Sequence, residues 1–163
     1  MDYQPSPTSF LTLKTPAQTI LAAGLLAGSI DLAAAVISSG VPVEKVLPFI
    51  ASSVFGKAAF AGGWTMLAWG LAFHFFIAFF WTMLFFGFYP KVKGVSKNLV
   101  ITGLVYGVVI WLVMNLLVLP LANAPKQPFD WLSAAKGMLI LIFMVGLPIA
   151  LIIGQYYRNV RSA

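Results

Sequence analysis

The chain has 163 residues, of which 61% are hydrophobic and 9% charged, with 10 Lys and Arg against 4 Asp and Glu, no cysteine and a mean hydropathy of +0.96. That composition lies outside the range of soluble domains and predicts an integral membrane protein with an all-α, polytopic fold. It excludes disulfides, thiolate metal sites and a cysteine nucleophile; the net charge of +6 sits on basic residues beside apolar runs, which implies anchoring in a bilayer and no nucleic-acid partner.

Residues 1–18 hold Asp2 and three prolines and lack the basic-then-apolar pattern of a cleavable signal peptide. The first apolar run predicts a span over 19–39, opened by Thr15 and Pro16 and closed by Gly40 and Pro42. Over 43–55 the residues Val43, Val46, Leu47, Ile50 and Val54 recur at helical spacing, while Glu44, Lys45, Ser52 and Ser53 fall on the other side. This predicts a short amphipathic helix lying at the membrane interface, with Pro48 near its first turn. A re-entrant segment, broken at Gly56, Gly62 and Gly63, is the alternative. The second span is expected over 61–89, long enough to tilt, and ended by Pro90 before Lys91, Lys93 and Lys97. The third covers 98–119 and stops at Pro120, after which Asn123, Pro125 and Pro128 form a turn region leading to Asp130 and Trp131. The fourth covers 133–157, with Pro148 and the neighbouring Gly146 as an expected kink. Four spans of about 20 residues fill the chain and predict one bundle, a single domain over 1–163.

An even number of spans puts both termini on one side. That side carries Lys14, Lys91, Lys93, Lys97, Arg158 and Arg161, against Lys45, Lys57, Lys126 and Lys136 on the other, so the positive-inside rule predicts cytoplasmic termini. Tyr156 and Tyr157 at one end and Trp64 and Trp131 at the other fit aromatic belts.

Small residues recur where helices should touch. Gly24, Gly28, Asp31, Ala35 and Ser38 share one face of the first span, and Gly103, Gly107, Trp111 and Asn115 share one face of the third. Both faces contain GxxxG, which predicts close backbone packing against an internal partner or a second copy. The second span aligns Gly70, His74 and Ala78, and the fourth aligns Gly146, Ala150 and Gly154.

Three strongly polar side chains interrupt the spans: Asp31, His74 and Asn115. An ionisable group inside a bilayer costs roughly 2.5–3.5 kcal/mol on insertion scales, so each needs a reason to be there. With a rise of ~1.5 Å per residue, Asp31 is expected ~12 Å below the outer end of its helix, Asn115 within ~6–8 Å of that side and His74 ~20 Å from it. If the small faces meet, the three form a polar column open toward the outer face, suited to proton relay or pH sensing with Asp31 as titrating acid, His74 as partner and Asn115 as brace. The competing reading makes them hydrogen-bonding glue between helices, in a structural or interaction subunit of a larger membrane complex. His74, ringed by Phe73, Phe75, Phe76, Phe79, Phe80 and Trp81, supplies only one metal ligand, so no haem-like cofactor is expected. Lys57 is expected to snorkel to lipid headgroups. No paired carboxylates, metal cluster, Ser-His-Asp set or phosphate loop is evident, and a non-enzymatic role is expected. Partners are the bilayer and a second copy or another membrane protein, since four short helices make a poor transporter alone.

The stretches Ala23-Gly-Leu-Leu-Ala-Gly-Ser-Ile-Asp31, Ile50-Ala-Ser-Ser-Val-Phe-Gly-Lys57, Ala59-Phe-Ala-Gly-Gly-Trp64, Gly70-Leu-Ala-Phe-His74 and Gly103-Leu-Val-Tyr-Gly107, with Met114-Asn115 and Leu119-Pro120, resemble a group of small uncharacterised bacterial inner-membrane proteins. More distantly the chain is similar to the YagU-like proteins, which share four predicted spans and an association with acid tolerance. The resemblance covers roughly residues 20–125. It implies an inner-membrane location and positions of interest at Asp31, Gly56, Lys57, Gly62, Gly63, His74 and Asn115, and it implies no activity.

Overall fold

A computed structural model describes residues 15–95, 98–126 and 128–162. Lys14 and Lys97, both counted in the charge asymmetry above, lie outside the described residues, as do the side chains of Lys93 and Arg161. Among the described residues the regular structure is entirely helical. Four helices are long and apolar enough to cross a membrane, spanning Pro16–Ser39, Gly63–Lys91, Leu99–Leu121 and Trp131–Val160, as in a multi-pass membrane protein.

Helix α1 (Pro16–Ser39) begins as its sequence dictates: Thr15 is extended and its hydroxyl accepts the Gln18 N–H at 3.2 Å, while Pro16 occupies a position whose N–H would have no partner. It ends at Gly40, whose φ of 64° is the left-handed conformation that glycine reaches without strain. Helix α2 (Val43–Phe55) follows, then a 3-10 turn at Gly56–Ala61 that carries the exposed Lys57. Helix α3 (Gly63–Val95) runs through Pro90 instead of stopping there and ends one turn beyond it. Helix α4 (Leu99–Leu121) is capped by the Asn98 side chain, which accepts from Val100 and Ile101 N–H, and its C-terminal part widens into a π segment at Met114–Val118. Helix α5 starts at Trp131 under an Asp130 cap, passes through a second π segment at Leu141–Gly146 and continues over Leu147–Ser162. The sequence expected disruption at Pro148. The π segment ends two residues before that proline, so the irregular turn precedes the ring.

Helix α5 is the axis of the fold. It packs against α1, α3 and α4, and 39% of its apolar window is buried, against 11% for α4. Its small stripe meets α4 in antiparallel register, Gly146 against Gly103 and Gly107, Ala150 against Gly103, and Gly154 against Leu99. A Cβ on Gly146 or Gly107 would collide with backbone of the opposite helix, so the third-span GxxxG finds its partner inside the same chain. The first-span GxxxG does something different. Gly24 faces the ring of Phe79 and Gly28 faces the ring of Phe75, so α1 and α3 join by aromatic rings seated on glycines, not by two smooth faces. Ala23 and Ala27, beside those glycines, are completely buried in the core with Trp81, Phe85, Tyr89, Ile110, Val145, Ile149, Ala150 and Ile153.

Two surface expectations change. In α2 the buried residues are Leu47, Pro48, Ala51 and Ser52, while Val54 is exposed, so the packed face is rotated from the apolar stripe. The cause is Gly70: with no side chain there, the α2 backbone at Leu47 lies directly on α3, and only a face of small side chains allows that approach. Ser52 satisfies its buried hydroxyl by donating to Phe49 O at 2.6 Å. At the terminal end of α5, Tyr156 is buried against Phe86 and Tyr157 stacks on Tyr89 at 5.1 Å while donating to Phe86 O. Tyr156 is thus buried and Tyr157 half-buried at that end, while Trp64 and Trp131, at the opposite end, are exposed.

Candidate functional site

The halves of α1, α4 and α5 next to the connection between α4 and α5 line, with that connection, a cavity of about 750 Å³. Its α1 wall is Asp31, Ala35, Ser38 and Ser39, the outward continuation of the face predicted for that helix. Its α4 wall is Trp111, Asn115, Leu119 and Pro120, and α5 contributes Ser133, Lys136, Gly137 and Leu141 among others. Asp31 lies eight residues inside the end of α1, or ~12 Å at a rise of ~1.5 Å per residue. The cavity therefore opens among the exposed residues Ser39, Phe129 and Asp130 and reaches an acid well below that level.

Each polar group in the wall can be assigned. Asn115 sits in the π segment of α4 and donates its amide Nδ2 to Trp111 O at 2.9 Å, one turn back. That bond orients the side chain and leaves its Oδ1 as an acceptor with no partner among the described residues. Lys126 extends its Nζ to Leu119 O, Pro120 O and Ala122 O at 2.9, 2.8 and 3.0 Å. A cation thus closes the C-terminus of α4, where carbonyls have no intrahelical partner and the helix dipole is negative. Asp130 accepts the Ser133 N–H at 2.7 Å as the α5 cap; the same contact holds its carboxyl below the usual carboxylate range, with Lys136 adding a smaller pull. Asp31 accepts no hydrogen bond among the described residues.

His74 is brought to the same level by the α1–α3 contact, though it does not line the cavity. Its Nε2 is 2.8 Å from Gly28 O. A carbonyl oxygen can only accept, so Nε2 bears the hydrogen of this bond. Gly28 is one turn from Asp31, close enough for the charge of either side chain to act on the other. The polar set thus divides: Asp31 and Asn115 share a cavity, whereas His74 stands behind Asp31 across the helix contact. Lys57, in the 3-10 turn, belongs to neither group.

No local pattern in the chain pointed to Phe49, Phe129 or Lys136 as neighbours of these residues. A signal for Lys126 existed, since a basic residue just past a helix C-terminus is a common partner for its last carbonyls. Among the described residues no group of three His, Cys, Asp or Glu is placed to hold a metal ion. Compared with known protein families, curated proteins and solved structures, the chain matches none.

Proposed function

We propose that this is a non-enzymatic bacterial inner-membrane protein, a four-helix bundle with both termini cytoplasmic, in which Asp31 exchanges protons with the outer face for proton-linked sensing or transport. The observation that carries the reading is the position of Asp31: a carboxyl inside a span, bordering an open cavity, without a hydrogen bond among the described residues. A carboxyl used as structural glue would hold a donor on a neighbouring helix, as Tyr106 does by donating to Trp81 O at 2.6 Å. Asp31 instead borders an open cavity on one side and has the His74 imidazole behind it, an arrangement suited to a proton acceptor. Helix α2 then lies at the outer interface, its exposed Glu44 and Lys45 toward headgroups and its small face on α3.

The second reading, an interaction subunit, draws on α4, whose outward side exposes Ile101, Val105, Val109 and Leu116 with little protein cover. That side meets lipid in either case, and a second copy or another membrane protein is the partner it would take.

Proton flux into proteoliposomes under an imposed pH gradient tests the first reading. Flux in wild type that disappears in an equally folded Asp31→Asn variant is expected. Absence of flux in both, together with no pH-dependent change in the tryptophan fluorescence of the wild type, would rule out proton exchange at Asp31.

A further inference from the structure

The size and lining of the cavity bear on what else Asp31 meets. About 750 Å³ lies within the range of roughly 300–1,000 Å³ typical of small-molecule sites, and the walls are mainly apolar with a few converging polar groups. Among the charged groups of the wall, two are held by hydrogen bonds of the fold itself. Lys126 is bound to three carbonyls and Asp130 caps α5, while Lys136 exerts only a small pull on Asp130. The carboxylate of Asp31 stands at the inner end without a hydrogen bond among the described residues.

The polar atoms beside it are mixed. Asn115 has used one of its two amide donors on Trp111 O and keeps its Oδ1 as an acceptor, Ser38 and Ser39 donate to Ala35 O and Val36 O, and the indole nitrogen of Trp111 lies toward Gly137 of α5. A cation would meet a carboxylate, an amide oxygen and the aromatic side chains of Phe49 and Trp111.

Building on the proton-exchange reading, we propose that the cavity binds a small organic cation, an amine or quaternary ammonium with an apolar body, and that its positive head and a proton compete for Asp31. The exchange balances simply: a cation arriving at protonated Asp31 leaves an ion pair and releases one proton to the cavity water. The groups that set its pH dependence are few. From α3, His74 opposes cation binding when protonated, in the same direction as protonation of Asp31, so affinity rises with pH. From α4, Asn115 and Trp111 carry no charge. From the connection and α5, Lys126, Asp130 and Lys136 line the wall as described, and from α2 only Phe49 reaches it.

The test uses the full chain in lipid nanodiscs and phenyltrimethylammonium, whose charge does not depend on pH, by titration calorimetry in buffers of different ionisation enthalpy. The expected result is saturable binding that tightens by up to roughly tenfold per pH unit while the acid titrates, with one proton released per cation. Asp31→Asn, with an unchanged thermal midpoint, should weaken binding at least roughly tenfold and flatten the pH profile. tert-Butylbenzene, the neutral isostere, should bind wild type and variant alike. Equal binding of the cation to both proteins, or no binding to folded wild type, overturns the proposal. If Asp31-dependent proton flux persists while phenyltrimethylammonium neither binds nor inhibits it, the cation is wrong and the proton reading stands. Asp31-dependent binding without proton release overturns the exchange itself.

Discussion

The two ends of the molecule are built from the same kinds of residue and differ in how they use them. At the terminal end Trp81, Phe85, Tyr89, Tyr106, Ile149 and Ile153 form a packed core, and each buried polar group has its partner: Tyr106 on Trp81 O, Tyr157 on Phe86 O, Thr82 on Ala78 O. At the loop end α1, α4 and α5 part around a cavity, both π segments border it through Asn115 and Leu141, and an acid faces it without a hydrogen bond among the described residues. Satisfied polar groups hold the first region together; in the second, under the proposed function, Asp31 is left for a proton or ligand. On that proposal, stability and function separate along the helix axis.

That separation can be broken most strongly at the glycines. Gly107→Leu should drive a side chain into the α5 backbone at Ile142 and destabilise by about 1–3 kcal/mol or more, with loss of a cooperative unfolding transition in detergent. Gly87, which has open space around it, is the control: alanine there should leave the melting point unchanged or raise it. Next in size, Tyr106→Phe should cost about 0.5–1.5 kcal/mol by removing the donor to Trp81 O. Asp31→Asn should shift stability by less than about 0.5 kcal/mol while changing proton flux. If the two variants destabilise equally, Asp31 is structural and the contrast between the regions fails.

Smaller effects sharpen the picture at the mouth of the cavity. Lys126→Met should free three carbonyls and speed amide exchange in the last turn of α4, with little change in global unfolding. Asp130→Ala should do the same at the start of α5. Because the cap lowers the Asp130 pKa from 3.8, its contribution is complete above that value and disappears as pH falls through the lowered one. Faster exchange of the Ser133 amide in acid, absent from the variant's profile, would check the sign.

Much of the architecture was legible in the residues. Span positions followed from hydropathy and length, and the start of α1 from Thr15 with Pro16, because caps and apolar runs are local properties; the Asp130 cap, ahead of the expected start at Ser133, came to light only in the structure. The long-range contacts were not legible. Gly70 admits the α2 backbone at Leu47 onto α3, and Tyr156 and Tyr157 pack against rings of α3. The candidate site was legible in its members on α1 and α4, since helical spacing puts Asp31 with Ala35 and Ser38, and Trp111 with Asn115.

By itself, the sequence determined that this chain is helical, lives in a membrane and carries three polar residues at depth, because composition and period act within a single helix. Only the tertiary structure decided which small faces meet, that the GxxxG of α4 closes on Gly146 while that of α1 receives phenylalanine rings, and that Asp31 opens to a cavity with His74 behind it. Those outcomes depend on the relative rotation and register of whole helices, which are set by backbone approach and side-chain volume summed over the packed interior.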